Sequence, residues 1–439
     1  MDHQGYTLLP KEVCSANIHQ TGKTYTLIEL IRQMVQRKLR VLVCGPSNLS
    51  VDNIVERLAP QKIPIIRLGH PARLLPSVLN HSLDVLTQTS DAAEIVKDVR
   101  KELDSKQASI RKTRNGRERR AIYTEMKDLR KEYREREKQC VTTLVGGSRV
   151  VLATLHGAGG FQLKQEQFDV VIIDEASQAL EAQCWIPLLS AMKVVLAGDH
   201  LQLPPTIKSS NTKAAPVKDK HESEKAKKGA LSTSLEVTLF DRLLKLHGSS
   251  IKRMLTTQYR MHEKIMRFPS DEMYGGSLVA AEAVKARLLR DLPYEVQDTD
   301  DTREPLVFYD TQGGDFLEKS EDENADKTTK GAIMSDSKSN EMEAALVKMH
   351  VQGLVDASVL PEDIAVVTPY NAQLALLAHD LKERFPGIEL GSVDGFQGRE
   401  KEAVILSLVR SNPEHEVGFL AEKRRLNGPW YPFLGASHV

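Results

Sequence analysis

Short apolar runs alternate with amphipathic helical patterns along the first half of the chain. The runs lie at residues 41–44, 63–66, 150–153, 170–173 and 194–197. Apolar residues also recur at helical spacing from about residue 25 to 37 and again from residue 51. Because near-continuous apolar strands that alternate with helices form parallel sheets covered on both faces, we predict an α/β domain here.

A second alternating series begins near residue 250. Its apolar runs lie at residues 254–256, 306–309, 364–367, 389–393 and 404–406. A chain of 439 residues also exceeds the size of one ordinary hydrophobic core. We therefore predict two similar α/β domains, which span residues 1–249 and 250–439.

The strand pattern is interrupted at residues 91–147, where apolar residues recur at helical spacing. Arg114, Asn115 and Gly116 are suited to a turn, so the segment predicts an antiparallel helical hairpin inserted in the first domain. It contains 16 basic and 11 acidic residues. A solvated, charged helix pair is the simpler interpretation of this composition, and contact with a phosphate backbone is the alternative.

Two other segments lack any apolar periodicity. Residues 208–229 are rich in Lys, Ser, Ala and Glu, and residues 313–339 are polar and acidic. Such compositions cannot bury enough apolar surface to fold. We predict flexible loops at both places.

Composition and charge exclude several classes of protein. The 60 basic residues equal the 60 acidic ones, so any surface for a polyanion must be local. The four cysteines lack the paired spacing of zinc sites, and no apolar stretch approaches the roughly 18 residues of a membrane span. We expect a protein of the nucleus, the cytoplasm or both, without a membrane partner.

Thr21, Gly22, Lys23 and Thr24 directly precede the first helical pattern. A Gly-Lys-Thr turn at the start of a helix supplies backbone N–H groups and a lysine charge to phosphates, and a hydroxyl to Mg²⁺. The tripeptide is weak on its own because it occurs by chance. The site gains support from the carboxylates that the same chemistry needs.

Those carboxylates are Asp174 and Glu175, which close the apolar run at 170–173. A buried strand that ends in Asp and then Glu places one carboxylate to hold Mg²⁺ and the next to orient a water. Together with Lys23, the pair predicts a nucleotide triphosphatase site that uses ATP and Mg²⁺.

Three more polar residues follow predicted strands. Gln202 offers both a donor and an acceptor, which suits a contact with a γ-phosphate or with the attacking water; a polar loop is the alternative. Arg260 can stabilise transition-state charge from across an interdomain cleft, or form a surface salt bridge. Tyr259 beside it can stack on an adenine ring.

Two glycine- or proline-containing segments end other strands of the second series. Residues 392–400 combine two glycines, which allow close backbone approach, with a carboxylate that can accept a hydrogen bond from a ribose hydroxyl. Residues 368–371 offer Thr368 and an aromatic ring to a single-stranded backbone and its bases. Either segment alone would be an ordinary turn.

The motifs in their order carry a resemblance that no single motif does. They are TGKT (21–24), PSNLSVDN (46–53), VVIIDEASQ (170–178), GDHLQLPP (198–205), QYRMH (258–262), TPYN (368–371) and SVDGFQGREKEAVILS (392–407). In sequence and order they resemble the superfamily 1 helicases of the Upf1-like group, over about residues 21–427. A P-loop kinase or GTPase explains neither QYRMH nor a second α/β domain.

The resemblance implies two RecA-like P-loop NTPase domains that bind ATP between them and move 5′ to 3′ on single-stranded DNA or RNA. The roles it implies extend those argued above. The catalytic residues would be Glu175, Gln202 and Arg260; the nucleotide contacts Thr21, Gly22, Lys23, Thr24, Tyr259 and Glu400; and the Mg²⁺ ligands Thr24 and Asp174. Nucleic-acid backbone contacts would be made by Asn48, Thr154, Thr368 and Ser392, and the hairpin would also touch nucleic acid.

The chain departs from the family pattern near both ends. Residues 17–20 read Asn-Ile-His-Gln where the family has Gly-Pro-Pro-Gly, and a glutamine side chain can crowd the phosphates. The last motif begins at residues 424–427, but the family's second arginine finger, which would act beside Arg260, and the final strand are expected to be missing. We expect a form shortened at both ends. The alternative function is a nucleic-acid-binding protein with impaired or no ATPase activity.

Overall fold

The computed structural model describes residues 22–89, 91–112, 115–205, 237–320, 337–393, 395–396, 400–421 and 433–438. The chain forms two compact units. The first contains residues 24–198 and 205–253, and the second contains residues 22–23, 199–204 and those from 254 onward. The predicted loop at 208–229 and most of the one at 313–339 lie outside the described residues.

The first unit is built on a five-stranded parallel sheet. Its strands are β1 (Val41–Gly45), β2 (Ile65–Leu68), β3 (Val150–Thr154), β4 (Phe168–Ile173) and β5 (Ala191–Leu196), in the order β2-β3-β1-β4-β5. Alternate residues of β1 belong to different apolar clusters: Leu42 and Cys44 to one, Val41 and Val43 to the other. Both faces of the sheet are therefore buried, which confirms the parallel α/β prediction.

The first unit also contains helices. They are α1 (Lys23–Gln36), α2 (Asn48–Leu58), α3 (Leu83–Thr89), α4 (Asp91–Lys112), α5 (Gly116–Gly147), α6 (Glu181–Leu188) and α7 (Leu239–His247). The hydroxyl of Ser47 accepts a hydrogen bond from the Ser50 N–H at 3.1 Å, which caps the start of α2. None of the helices in the described part of the chain combines the length and apolar character of a membrane span.

Helices α4 and α5 run antiparallel. Lys106 pairs with Glu125, and the guanidinium carbon of Arg100 lies 5.8 Å from the centre of the Tyr133 ring. Since contacts move toward earlier residues on α4 as they move toward later ones on α5, the two helices form a hairpin. A small apolar cluster holds it together, made of Leu103, Ile110 and Met126.

The second unit also contains a five-stranded parallel sheet. Its strands are β8 (Leu306–Val307), β11 (Ile364–Thr368), β12 (Glu389–Ser392), β13 (Lys401–Leu406) and β14 (Phe433–His438), in the order β12-β11-β13-β14-β8. Two strand pairs lie beside it: β6 (Thr257–Gln258) with β7 (Val279–Ala280), and β9 (Lys319–Ser320) with β10 (Lys338–Ser339). The helices are α8 (Glu263–Tyr274), α9 (Asp300–Arg303), α10 (Glu341–Asp356) and α11 (Asn371–Arg384).

Two sequence expectations for this unit are wrong. The strand expected at 254–256 lies instead at Thr257–Gln258, because pairing with β7 decides its position and the apolar run does not. The final strand of the sheet, expected to be missing, is supplied by β14, which pairs with β13 and β8. Its sequence, FLGASH, lacks the continuous apolar run used to find the others.

A buried ion pair holds α2 against β2. Arg67 is 0% exposed, and its Nε donates to Asp52 Oδ1 at 2.7 Å. The same guanidinium donates to Asn48 Oδ1 at 3.0 Å and to the carbonyl of Leu68, while Asp52 Oδ2 accepts from the Leu75 N–H at 3.0 Å. The attraction between two buried charges offsets the cost of their desolvation only when such additional hydrogen bonds satisfy their remaining polar atoms.

We expect Arg67→Leu to lower the free energy of unfolding of the first unit by about 3–5 kcal/mol, because Asp52 is left charged and buried. Urea denaturation followed by circular dichroism measures the change. The double variant with Asp52→Leu should recover a large part of the loss.

The pair formed by Arg242 and Glu181 is the matched control. Both side chains are 28% exposed, so Arg242→Leu should cost roughly 1 kcal/mol or less. Equal losses for Arg67→Leu and Arg242→Leu would contradict the importance given to burial.

Candidate functional site

The two predicted acidic residues emerge from the end of β4. The Asp174 N–H donates to the carbonyl of Cys44 at 2.8 Å, so the ladder between β1 and β4 continues one residue beyond the strand. Glu175 then adopts φ 53° and ψ 39°, and its N–H donates to Asp174 Oδ1 at 3.0 Å. A left-handed conformation is uncommon for a residue with a side chain. Each residue is 4% exposed, so β4 delivers two carboxylates into one buried turn.

The following turn depends on close backbone approach. Gln178 Nε2 donates to Glu175 Oε2 at 2.8 Å, and the Ala176 N–H donates to the carbonyl of Ala197 at 2.8 Å. A Cβ on Gly198 would lie 2.9 Å from the Ser177 nitrogen. The turn that fixes Glu175 therefore requires glycine at position 198.

The predicted phosphate loop ends at the start of α1. Gly22 has φ +72°, Lys23 is 1% exposed, and Thr24 is half-buried. Thr21 lies outside the described residues. The backbone N–H groups and the dipole at a helix start favour a bound anion. Hydroxyl and carboxylate oxygens, as on Thr24 and Asp174, are the ligands that Mg²⁺ prefers, so the donor types fit this ion.

Gln202 belongs to a buried polar cluster around Asp199. The side-chain Nε2 of Gln202 donates to Asp199 Oδ2 at 2.8 Å, and the Tyr274 hydroxyl donates to the same oxygen at 2.6 Å. Leu201 N–H donates to Asp199 Oδ1 at 3.0 Å. Asp199 is 1% and Gln202 2% exposed. The predicted sensor is therefore rigidly held.

Arg260 lies in a loop that folds around the Gln258 side chain. Gln258 Oε1 accepts from the N–H groups of Arg260 at 2.8 Å and Met261 at 2.7 Å, and Gln258 Nε2 donates to the Met261 carbonyl at 2.6 Å. Arg260 is 4% exposed and forms an ion pair with Glu400. Tyr259, which lies between Gln258 and Arg260 in the chain, is 59% exposed, so its ring is available for stacking.

The structure thus brings Arg260 and Glu400 together, although the roles predicted for them were separate. A residue that sequence reasoning passed over, Gln258, shapes the loop that carries Arg260. A glutamine at the end of a strand, directly before the predicted site residues, was the available signal.

Two predicted nucleic-acid contacts lie at the carboxyl edge of the first sheet. Thr154 ends β3 and pairs in register with Gly45, and its hydroxyl accepts from the Gly157 N–H at 3.1 Å. It lines a pocket of about 670 Å³ that also includes Gly69 and His156. Asn48 begins α2 just after β1, and its side chain is held by Arg67.

The other two contacts pair directly with each other. Thr368 ends β11 and is in register with Ser392 at the end of β12. Ser392 is partly exposed and accepts from the Gly395 N–H at 3.3 Å. Thr368 is 0% exposed, and no donor or acceptor among the described residues reaches its hydroxyl. A buried hydroxyl without a partner is unusual, since most buried polar atoms in proteins are hydrogen-bonded.

Comparison with known proteins finds matching family models and similar proteins. Two family models, each described as an AAA domain, match residues 19–210 and 235–428. DNA polymerase alpha-associated DNA helicase A of Schizosaccharomyces pombe is 52% identical over 407 residues, which are 93% of this chain and 57% of that protein. DNA-binding protein SMUBP-2 of Rattus norvegicus is 49% identical over 429 residues, covering 96% of this chain and 40% of that protein.

Comparison also finds more distant similarities. ATP-dependent helicase upf1 of Schizosaccharomyces pombe is 32% identical over 424 residues, which are 93% of this chain and 40% of that protein. The crystal structure of arterivirus nonstructural protein 10, a helicase, covers 97% of this chain and 59% of that one, with 11% identity. Its TM-score of 0.42 is too low to support an argument. The chain spans about half the length of the curated relatives that it matches.

We expect Gly198→Ala to destabilise the first unit by about 1–3 kcal/mol, because the new methyl group would press on backbone atoms that cannot swing aside. Thermal or urea unfolding measures the loss. Gly146→Ala is the matched control: it lies in α5 with nothing within 4 Å of an added Cβ. That variant should gain roughly 0.5–1 kcal/mol. A neutral Gly198→Ala would contradict the close approach.

Proposed function

The chain belongs to the Upf1-like superfamily 1 helicases, and from this membership we propose that it hydrolyses ATP to move 5′ to 3′ along single-stranded DNA or RNA. One observation carries the proposal. Asp174 and Glu175 form a buried, strained turn at the end of a parallel strand, where the chemistry of phosphoryl transfer needs one carboxylate for the metal and one for the water.

Residues at the start of α1 and after β4 would bind the nucleotide phosphates, the metal ion and the attacking water. Lys23 would neutralise the β- and γ-phosphates, assisted by the backbone N–H groups after Gly22. Thr24 and Asp174 would hold Mg²⁺, which supplies positive charge to the transferred phosphoryl group when bound. Glu175 would orient the attacking water and accept its proton. Thr21 would lie against the phosphates by family resemblance.

Arg260 would stabilise the charge that develops on the γ-phosphate. Its present partner is the half-exposed carboxylate of Glu400. Because a phosphate carries more negative charge than a carboxylate, it can replace Glu400 at the guanidinium. Glu400 would then be free to accept a hydrogen bond from the ribose, and Tyr259 would stack on the adenine.

Each sheet would offer contacts to a nucleic-acid strand at its carboxyl edge. Asn48 and Thr154 would contact its backbone on the first unit, and Thr368 and Ser392 on the second. Phosphate contacts of this kind position a strand without reading its sequence. The proposed partner is therefore single-stranded DNA or RNA of any sequence.

The decisive test is ATP hydrolysis by the 439-residue chain with and without single-stranded DNA or RNA. We expect hydrolysis that the strand stimulates. Glu175→Gln should reduce the rate by about 10²- to 10⁴-fold, because the variant removes the proton acceptor but keeps the shape. Binding of ATP and of the strand should persist. Glu166→Gln, at a half-buried glutamate paired with Arg40 in the same unit, is the control and should retain the activity.

Absence of hydrolysis with intact strand binding would overturn the enzymatic proposal and leave a nucleic-acid-binding protein. Direction is tested separately with tailed duplexes. A duplex with a 5′ single-stranded tail should be unwound, and one with a 3′ tail should not. The reverse preference would contradict the proposed 5′ to 3′ movement.

Thr368→Val tests the contact on the second unit, since valine keeps the shape and removes only the hydroxyl. We expect affinity for a labelled single strand to fall about 3- to 10-fold, the worth of one hydrogen bond. Fluorescence anisotropy measures it. Stability should stay the same or rise, because a buried hydroxyl without a partner among the described residues is removed. Unchanged affinity would show that the Thr368 hydroxyl does not contact the strand.

A further inference from the structure

The cluster around Asp199 fixes more than the place of Gln202. Asp199 Oδ2 accepts from the Tyr274 hydroxyl at 2.6 Å and from Gln202 Nε2 at 2.8 Å, while Oδ1 accepts from the Leu201 N–H at 3.0 Å. A carboxylate only accepts hydrogen bonds. The side-chain amide of Gln202 must therefore turn its NH₂ group toward Asp199.

This orientation leaves the carbonyl oxygen of Gln202 facing away from Asp199. Gln202 is 2% exposed, and within the described ranges no donor reaches its Oε1. A carbonyl oxygen can accept from a water, but it cannot bond to a phosphate oxygen that carries no hydrogen. The buried oxygen therefore suits a contact with the attacking water.

Tyr274 is placed to enforce this arrangement. It is the last residue of α8, is 6% exposed, and packs in one apolar cluster with Met261 and Ile265. Gly275 follows in the left-handed conformation that ends the helix. Because its ring is locked by packing, the Tyr274 hydroxyl holds the Asp199 carboxylate at a fixed position.

We propose that Tyr274 is a positioning residue for ATP hydrolysis: through Asp199 it orients Gln202 so that the carbonyl oxygen of Gln202 accepts a hydrogen bond from the attacking water. This inference rests on the proposed ATPase function. No contact between Tyr274 and the nucleotide is required, since its effect passes through two side chains.

The first test is Tyr274→Phe, which keeps the packed ring and removes the donor. We expect kcat for ATP hydrolysis to fall about 10- to 100-fold, as for a misplaced reacting group. The KM for ATP and the Kd for single-stranded DNA should change less than about twofold, because Tyr274 contributes nothing to the binding of either ligand in the ground state.

Tyr294→Phe is the matched control. The Tyr294 hydroxyl donates to Asp363 Oδ2 at 2.6 Å in the same unit, so the variant loses an equivalent hydrogen bond away from Gln202. Its kcat should remain that of the unmodified chain. Equal reductions in the two variants would show that loss of a tyrosine hydroxyl acts only through stability, and would overturn the inference.

A double variant separates positioning from a structural effect. In a Gln202→Ala background, Tyr274→Phe should cause no further loss of kcat, since its target is gone. A structural defect would lower kcat in both backgrounds alike and would overturn the inference. If the unmodified chain hydrolyses no ATP, the proposed function and the inference fail together. An active chain with an unaffected Tyr274→Phe variant overturns the inference alone.

Discussion

Parallel pairing that continues past the strand ends organises the first unit. The hydrogen bond from the Asp174 N–H to the Cys44 carbonyl extends the β1–β4 ladder, and the bond from the Ala176 N–H to the Ala197 carbonyl links the next turn to the neighbouring strand. Because parallel strands all end at one edge, side chains distant in sequence meet there. The strained turn at Glu175 is held by these bonds on both sides, so its conformation follows from the sheet.

Parallel pairing also brings strand ends together in the second sheet, where the paired residues carry hydroxyl groups. Thr368 and Ser392 are register partners at the ends of β11 and β12, so two hydroxyls lie side by side. The interior strand β14 completes this sheet between β13 and β8. Its sequence, FLGASH, has no continuous apolar run, which explains why a search for such runs did not find it. The apolar run at 254–256 likewise did not locate β6, which lies at Thr257–Gln258.

Much of the fold was predictable because long apolar runs specify buried parallel strands, and the runs at 41–44, 150–153, 170–173 and 364–367 lie within observed strands. Motif order further supplied the candidate site residues, whose roles stay predictions. Their partners were not predictable. Tyr274 and Asp199 are separated by 75 positions, and Arg260 and Glu400 belong to different motifs. No local periodicity encodes such pairs, since tertiary packing alone brings them together.

Hydrogen-bond satisfaction, and not burial, distinguishes the buried polar groups that stabilise the fold from those available to a ligand. Arg67 and Asp52 are buried, and each hydrogen-bonds to further groups, as a structural ion pair must. Gln202 and Thr368 are buried just as deeply, yet each has an oxygen that no described residue satisfies. An unsatisfied buried polar atom costs about 1–3 kcal/mol. Neither oxygen therefore adds to stability as it stands, and the ligand contacts proposed above for Gln202 and Thr368 would each satisfy one of them.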